Sequence, residues 1–162
     1  MRRLLGVCAA LSVMLVLAGC GDDLSGDETT RDESGEVVEG GDVGSLSLNV
    51  GDCIADAALG TVTDVPVVPC TESHTGEVFS LFDLDDGDFP GTTEAQSIAQ
   101  TECTGSAFTD YIGIAYADSI YDVNFLVPTQ QTWDAIDDRE VVCIAVPLDG
   151  SPLTKSVKDS AE

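Results

Sequence analysis

Glu77-Val78-Phe79-Ser80-Leu81-Phe82-Asp83-Leu84, together with the stretch from Thr93 to Gly113, decides how the chain folds, because the hydrophobic period changes between them. The first run is rich in aromatic and aliphatic side chains and reads as a strand. An acidic loop from Asp83 to Gly91 follows. Then Ala95, Ile98, Ala99, Cys103, Ala107 and Tyr111 recur every three or four residues, which marks one face of a helix. Thr93 with Gln96 three places later is a capping-box signature, and Glu94 suits the positive end of the helix dipole. Gly105 weakens the helix interior by about 1 kcal/mol, and Gly113 ends it. This order predicts an α+β domain: an antiparallel sheet with one main helix packed on it.

Strands extend the pattern on both sides. Ser45 to Val50 alternates polar and apolar residues as a half-buried strand does. Gly51-Asp52 then turns the chain into Cys53. Val65-Pro66-Val67-Val68-Pro69-Cys70 is extended, and its prolines argue for an edge. Tyr121–Val127 and Glu140–Pro147 read as strands, with a loop from Pro128 to Asp138 carrying Trp133. A last short strand is expected over Leu153–Val157. No internal repeat is found. The domain is expected to run from 46 to 162.

The N-terminus has the parts of an export leader over residues 1–19: Arg2 and Arg3, an apolar run from Leu4 to Leu17, and the small pair Ala18-Gly19. The apolar run is shorter than the ~20 residues that span a bilayer. Leu17-Ala18-Gly19-Cys20 resembles the lipobox of bacterial lipoproteins. That resemblance implies that the Cys20 thiol takes diacylglycerol, that cleavage precedes it, and that the new amine takes a palmitate-class acyl chain. Two or more chains hold a protein stably at a membrane surface, at ~0.8 kcal/mol per buried methylene. Residues 21–45 carry nine acidic side chains and one cation, Arg31, with almost no large apolar residue. Residues 20–45 are therefore expected to be a lipidated cysteine followed by a disordered acidic tether with a reach of roughly 25–30 Å.

Processing removes Arg2, Arg3 and Cys8. Four of the six Lys and Arg then face thirty Asp and Glu, a formal charge of −26. Such a surface repels nucleic acid and anionic lipid and favours cationic partners or divalent ions. Cys53, Cys70, Cys103 and Cys143 remain, outside the membrane. An even count in an oxidising compartment predicts two disulfides, with three pairings open. Cys53–Cys70 would close the first strand pair and Cys103–Cys143 would fasten helix to sheet, and this pairing is favoured. Zinc competes for the same sulfurs, but its sites use closely spaced ligand pairs.

Chemistry-bearing residues are few. His74, the only histidine, lies in Cys70-Thr71-Glu72-Ser73-His74-Thr75-Gly76-Glu77. Beside Glu72 and Glu77 it could ligate a metal or serve as a base. With no second histidine and no nucleophile motif, a turn hydrogen bond to Glu77 is the expected role. Asp83, Asp85, Asp88 and Glu94 partly follow a calcium loop, but glycine stands fifth, at Gly87, where that loop wants it sixth. Trp133 is expected as a core plug, and Arg139 as the local partner of an aspartate.

Taken together, Gly51-Asp52-Cys53, the run Val68 to Val78 with its Cys-x-x-x-His-x-x-Glu spacing, Pro128 with Trp133, Asp138-Arg139, Cys143, and the closing Asp149 to Ser156 resemble the septum-formation domain of actinobacterial envelope proteins. A glycine usual before the Asp-Arg pair is Asp137 here. The resemblance implies an exported or membrane-tethered domain linked with division-septum formation. It brings no established catalytic residues, and its cysteines are taken as structural. It leaves His74 and Glu77 as the special pair, with Trp133 and Arg139 as further binding candidates. The expected function is a non-enzymatic binding or assembly module, lipid-anchored on the extracytoplasmic face of the cell membrane. Its expected partner is an envelope or division protein, and no cofactor is expected. The alternatives are an envelope hydrolase or transferase using His74 with nearby carboxylates, and a divalent-cation module built on Asp83–Asp88.

Overall fold

A computed structural model of the chain describes residues 29–56 and 64–162. The expected leader and the expected lipidation site Cys20 lie outside the described residues. A small hairpin, β1 (Thr30–Arg31) and β2 (Val37–Glu39), precedes a six-stranded antiparallel sheet. The sheet comprises β3 (Gly41–Gly44), β4 (Cys53–Ile54), β5 (Asp64–Val68), β6 (Gly76–Asp83), β7 (Tyr121–Leu126) and β8 (Glu140–Pro147), in the order β3-β5-β4-β6-β8-β7. Among the described residues three α-helices, α1 (Thr92–Cys103), α2 (Ser106–Ile112) and α3 (Gln130–Ile136), complete the α+β architecture.

Strands β6 and β8 form its spine, in register from Glu77↔Ala145 to Asp83↔Glu140. β8 is almost continuously apolar because both its faces are covered. Val141, Cys143 and Ala145 face a core shared with Ala95, Ala99, Phe108, Ile112 and Val157. Val142 and Ile144 face a second core with Val37, Ile54, Val65 and Val67. The register shifts between Val78 and Ser80. That extra residue lets Phe79 join the helix-side core while Leu81, two places on, packs into the other. Gly76 is required by contact: a Cβ there would lie 2.8 Å from Ile144 and 3.1 Å from Val146.

Several expectations are corrected. Residues 30–44 of the expected tether are folded, and the domain begins well before 46. Ladder bonds are made by backbone and do not depend on side-chain composition, so a polar segment can join a sheet. β3 pairs with β5 along its length, Val37 is buried, and the Arg31 guanidinium grips the Asp52 carboxylate through both nitrogens, one at 2.7 Å. Ser45–Val50 is not a strand: Ser45–Ser47 is a 3-10 turn, and Asp52 draws the Asn49 N–H to its side chain at 2.8 Å. Only Leu48 of that run's three apolar residues is buried.

β5 is interior despite its prolines. Pro66 points its carbonyl toward β4, accepting from the Ala55 N–H at 2.9 Å. Its ring nitrogen therefore faces the same way, toward Ala55, and the one ladder donor that the proline lacks falls just past the end of the two-residue β4.

The expected single helix is two. α1 starts after Gly91 at φ 93° with no side-chain cap, so the Thr93/Gln96 box is unused. It stops at Cys103, where Thr104 turns its hydroxyl back onto the Gln100 carbonyl at 2.7 Å, and α2 restarts after Gly105. The Pro128–Asp138 loop contains α3, capped reciprocally by Thr129 and Thr132. Asp137 ends α3 at φ 59°, ψ 34°, so the left-handed turn survives without glycine. Leu153–Val157 is no strand and contributes a single bridge, Leu153↔His74.

On the outer edge, β7 is partly closed to further pairing. The Tyr121 N–H donates to Ser119 Oγ at 3.1 Å, and the Val123 N–H to Asp122 Oδ1 at 2.8 Å.

Arg31→Ala leaves Asp52, which is 2 % exposed, charged and unpaired. Urea unfolding with disulfides intact should show a loss of about 2–3 kcal/mol, below the full cost for a wholly buried pair because Arg31 itself is partly exposed. An unchanged midpoint would mean that the hairpin is not part of the cooperative unit.

Candidate functional site

The distinctive Cys-x-x-x-His-x-x-Glu run builds a polar knot at one end of β6. Cys53 on β4 stands opposite Glu77, and the Cys53–Cys70 disulfide fixes the loop between β5 and β6. Cys103–Cys143 ties α1 to β8. Both bonds follow the favoured pairing. Among the described residues, Cys53, Cys70 and Glu77 are the one group of ligand-type side chains whose donor atoms converge within 4.8 Å. Its two sulfurs are bonded to each other and offer no thiolate, so zinc is not supported there.

His74 and Glu77 are both fully buried. The expected hydrogen bond between them is replaced by separate partners. His74 Nδ1 donates to the Glu72 carbonyl at 2.8 Å, a tautomer assigned from that acceptor. Its backbone exchanges two hydrogen bonds with Leu153, at 2.8 and 3.1 Å. Nε2 is buried with no hydrogen-bond partner among the described residues. Glu77 accepts from the Tyr111 hydroxyl at 2.6 Å, the Ser156 hydroxyl at 2.7 Å and the Val157 N–H at 2.7 Å. A buried carboxylate persists when donors occupy its lone pairs, and these three do so. Burial, followed by the hydrogen bond to Glu77, pushes the Tyr111 phenol far above its usual range. It therefore remains a donor across ordinary pH.

A second cluster lies where β6 ends and β8 begins. Asp83, Asp86, Asp137, Asp138, Arg139, Glu140 and Leu46 line a depression of about 340 Å³. The Arg139 guanidinium carbon sits over Trp133, 3.6 Å from the ring centre, and the side chain pairs with Asp137 at 2.6 Å and Asp86 at 3.8 Å. Trp133 is the buried plug anticipated from its position, edge-on to Phe89 and donating Nε1–H to the Gly87 carbonyl at 3.0 Å. Desolvation, then Asp83 and Asp138, raises the Glu140 carboxyl above the usual carboxylate range. Asp85, Asp88 and Glu94 are exposed. Their oxygens do not gather with those of Asp83, and a strand rather than a helix enters the loop. The calcium-loop arrangement is therefore not formed.

Sequence reasoning missed Tyr111, Ser156 and Glu140 as members of these clusters. Ser156 was signalled by the closing segment of the resemblance. Tyr111 carried only its place on the helix stripe, and Glu140 carried no signal.

Glu77→Gln presents an amide donor to three donors. It should cost about 2–4 kcal/mol in urea unfolding, and Tyr111→Phe about 1–2 kcal/mol. For Glu140 the sign is opposite. A carboxyl raised by folding supports the fold while protonated, and that support is lost as pH rises through its folded value. Glu140→Gln should thus stabilise the chain by about 0.5 kcal/mol at pH 7, a modest figure because solvent screens the site. The gain should fade as pH drops toward 4. A gain that does not vary with pH would exclude a charge origin.

Searches of curated proteins and of solved structures return no match to this chain. One family does match, described as septum formation, over residues 20–160. That span holds the hairpin, both disulfides, the His74–Glu77 knot and the acidic depression, so the chain belongs to the septum-formation family.

Proposed function

We propose that the chain is a lipoprotein held by Cys20 on the outer face of the cytoplasmic membrane, where it binds or assembles with another envelope protein instead of catalysing a reaction. Family membership gives the division-related envelope role. Among the described residues no helix is long and apolar enough to cross a membrane, which is compatible with a lipid anchor. The observation that carries the binding reading is that the residues best suited to chemistry serve the fold. His74 and Glu77 are sealed from solvent, and the four mature cysteines other than Cys20 are bonded in pairs.

The first strand among the described residues starts at Thr30. The chain from Cys20 can reach no more than about 35 Å even fully extended. The domain is thereby kept close to the bilayer, and its negative charge favours a partner with a basic surface.

Membrane fractions should contain the chain with an acylated N-terminal cysteine by mass spectrometry, and Cys20→Ala should release it. Unacylated chain in the cytosol with reduced thiols would defeat the anchoring. For the binding reading, His74→Leu should lower stability before it impairs function. Lost function at an unchanged urea midpoint would point to catalysis.

A further inference from the structure

After β8 the chain forms neither helix nor strand, yet it is bound throughout. The Leu153 backbone pairs with His74. Ser156 and Val157 donate to Glu77. The N–H groups of Asp159 and Ala161 donate to the carbonyls of Tyr111 and Ile112, at 2.9 and 2.8 Å, at the open end of α2. Val157 is fully buried in the helix-side core. Asp159 and Ala161 both hold φ 55°, a left-handed conformation that aspartate tolerates but that is unfavourable for alanine. At Ala161 the strap's shape is held by its bond to the Ile112 carbonyl and not by its own backbone preference.

These are the features of an extended peptide in a recognition groove: paired backbone hydrogen bonds at one end, a buried aliphatic anchor, and a carboxylate selecting O–H and N–H donors. The bonds that seat the strap run to residues on other elements. It is joined to β8 through an exposed turn over 148–152, in which Gly150 stands at φ 70°.

We propose that this groove is a strand-acceptor site, and that the strap of one copy can occupy the groove of a second, linking copies by exchange of residues 153–161. This deepens the assembly reading above and rests on it for the membrane confinement. An exchanged strap makes the same contacts as a closed one, so the two states differ mainly at the turn and in the entropy of association. Copies held within about 35 Å of one membrane plane by their chain length meet at high local concentration, which offsets that entropy. The buried Glu77 restricts the occupant to a segment that presents donors as Ser156 and Val157 do.

The test uses cysteine cross-linking. In the antiparallel bridge, Ser73 and Thr154 form the pair next to His74 and Leu153, and both are exposed. Two differently tagged full chains are co-expressed, one with Ser73→Cys and the other with Thr154→Cys, and the envelopes are oxidised. A covalent dimer carrying both tags is expected, at least about tenfold above either variant alone. A single chain carrying both substitutions should close on itself and run as a monomer. Closure of that double variant with no mixed dimer would overturn exchange, and failure of the double variant to close would overturn the groove itself. Repeating the mixture with Cys20→Ala separates this proposal from anchorage. Exchange should persist when the released chains are concentrated, whereas a mixed dimer that never forms off the membrane at any concentration would leave exchange refuted as a property of the fold.

Discussion

The Glu77 carboxylate is the contact on which the rest converges. It sits at the start of the central strand and is removed from water. Its oxygens are claimed by a tyrosine from α2 and by two groups from the end of the chain. Three segments far apart in sequence are thus brought to one residue. Leaving a buried acid unsatisfied costs several kcal/mol, so the knot is conditional: each donor is needed for the acid to stay inside, and the acid holds the donors in place. The neighbouring disulfide and the His74 bridge fix the loop that delivers Glu77.

The same logic governs the few cations. Of the four among the described residues, Arg31 and Arg139 are largely withdrawn from solvent against carboxylates, while Lys155 is exposed beside Glu162. Arg31 closes the N-terminal hairpin onto Asp52, and Arg139 roofs Trp133. The exterior is therefore even more uniformly negative than the formal charge implies. Self-repulsion of this kind weakens with salt, over a length of about 8 Å at physiological ionic strength.

Much of the architecture was legible because it rests on periodicity and covalent chemistry. The stripe from Ala95 to Tyr111 does face the sheet, and Glu77–Leu84 does supply the central strand. The four cysteines pair as their positions between elements favoured. What stayed hidden has a physical cause in each case. The folding of residues 30–44 depends on ladder bonds and on an ion pair spanning twenty-one positions, neither of which composition records. The break before Gly105 comes with a local contact, the Thr104 hydroxyl turned back onto the Gln100 carbonyl, that periodicity does not record. The interior place of β5 depends on which way the Pro66 nitrogen faces. His74 and Glu77 stood out in the sequence, but burial and partners decide their roles, and these come from the closing segment folding back.

The outer margin of β7 has a wider bearing. Ser119 and Asp122 occupy amide hydrogens that an open strand would otherwise offer to a neighbour. A protein that reaches high local concentration runs the hazard of knitting into fibrils through such margins. Here two short polar side chains blunt that hazard locally, so crowding need not end in cross-β aggregation.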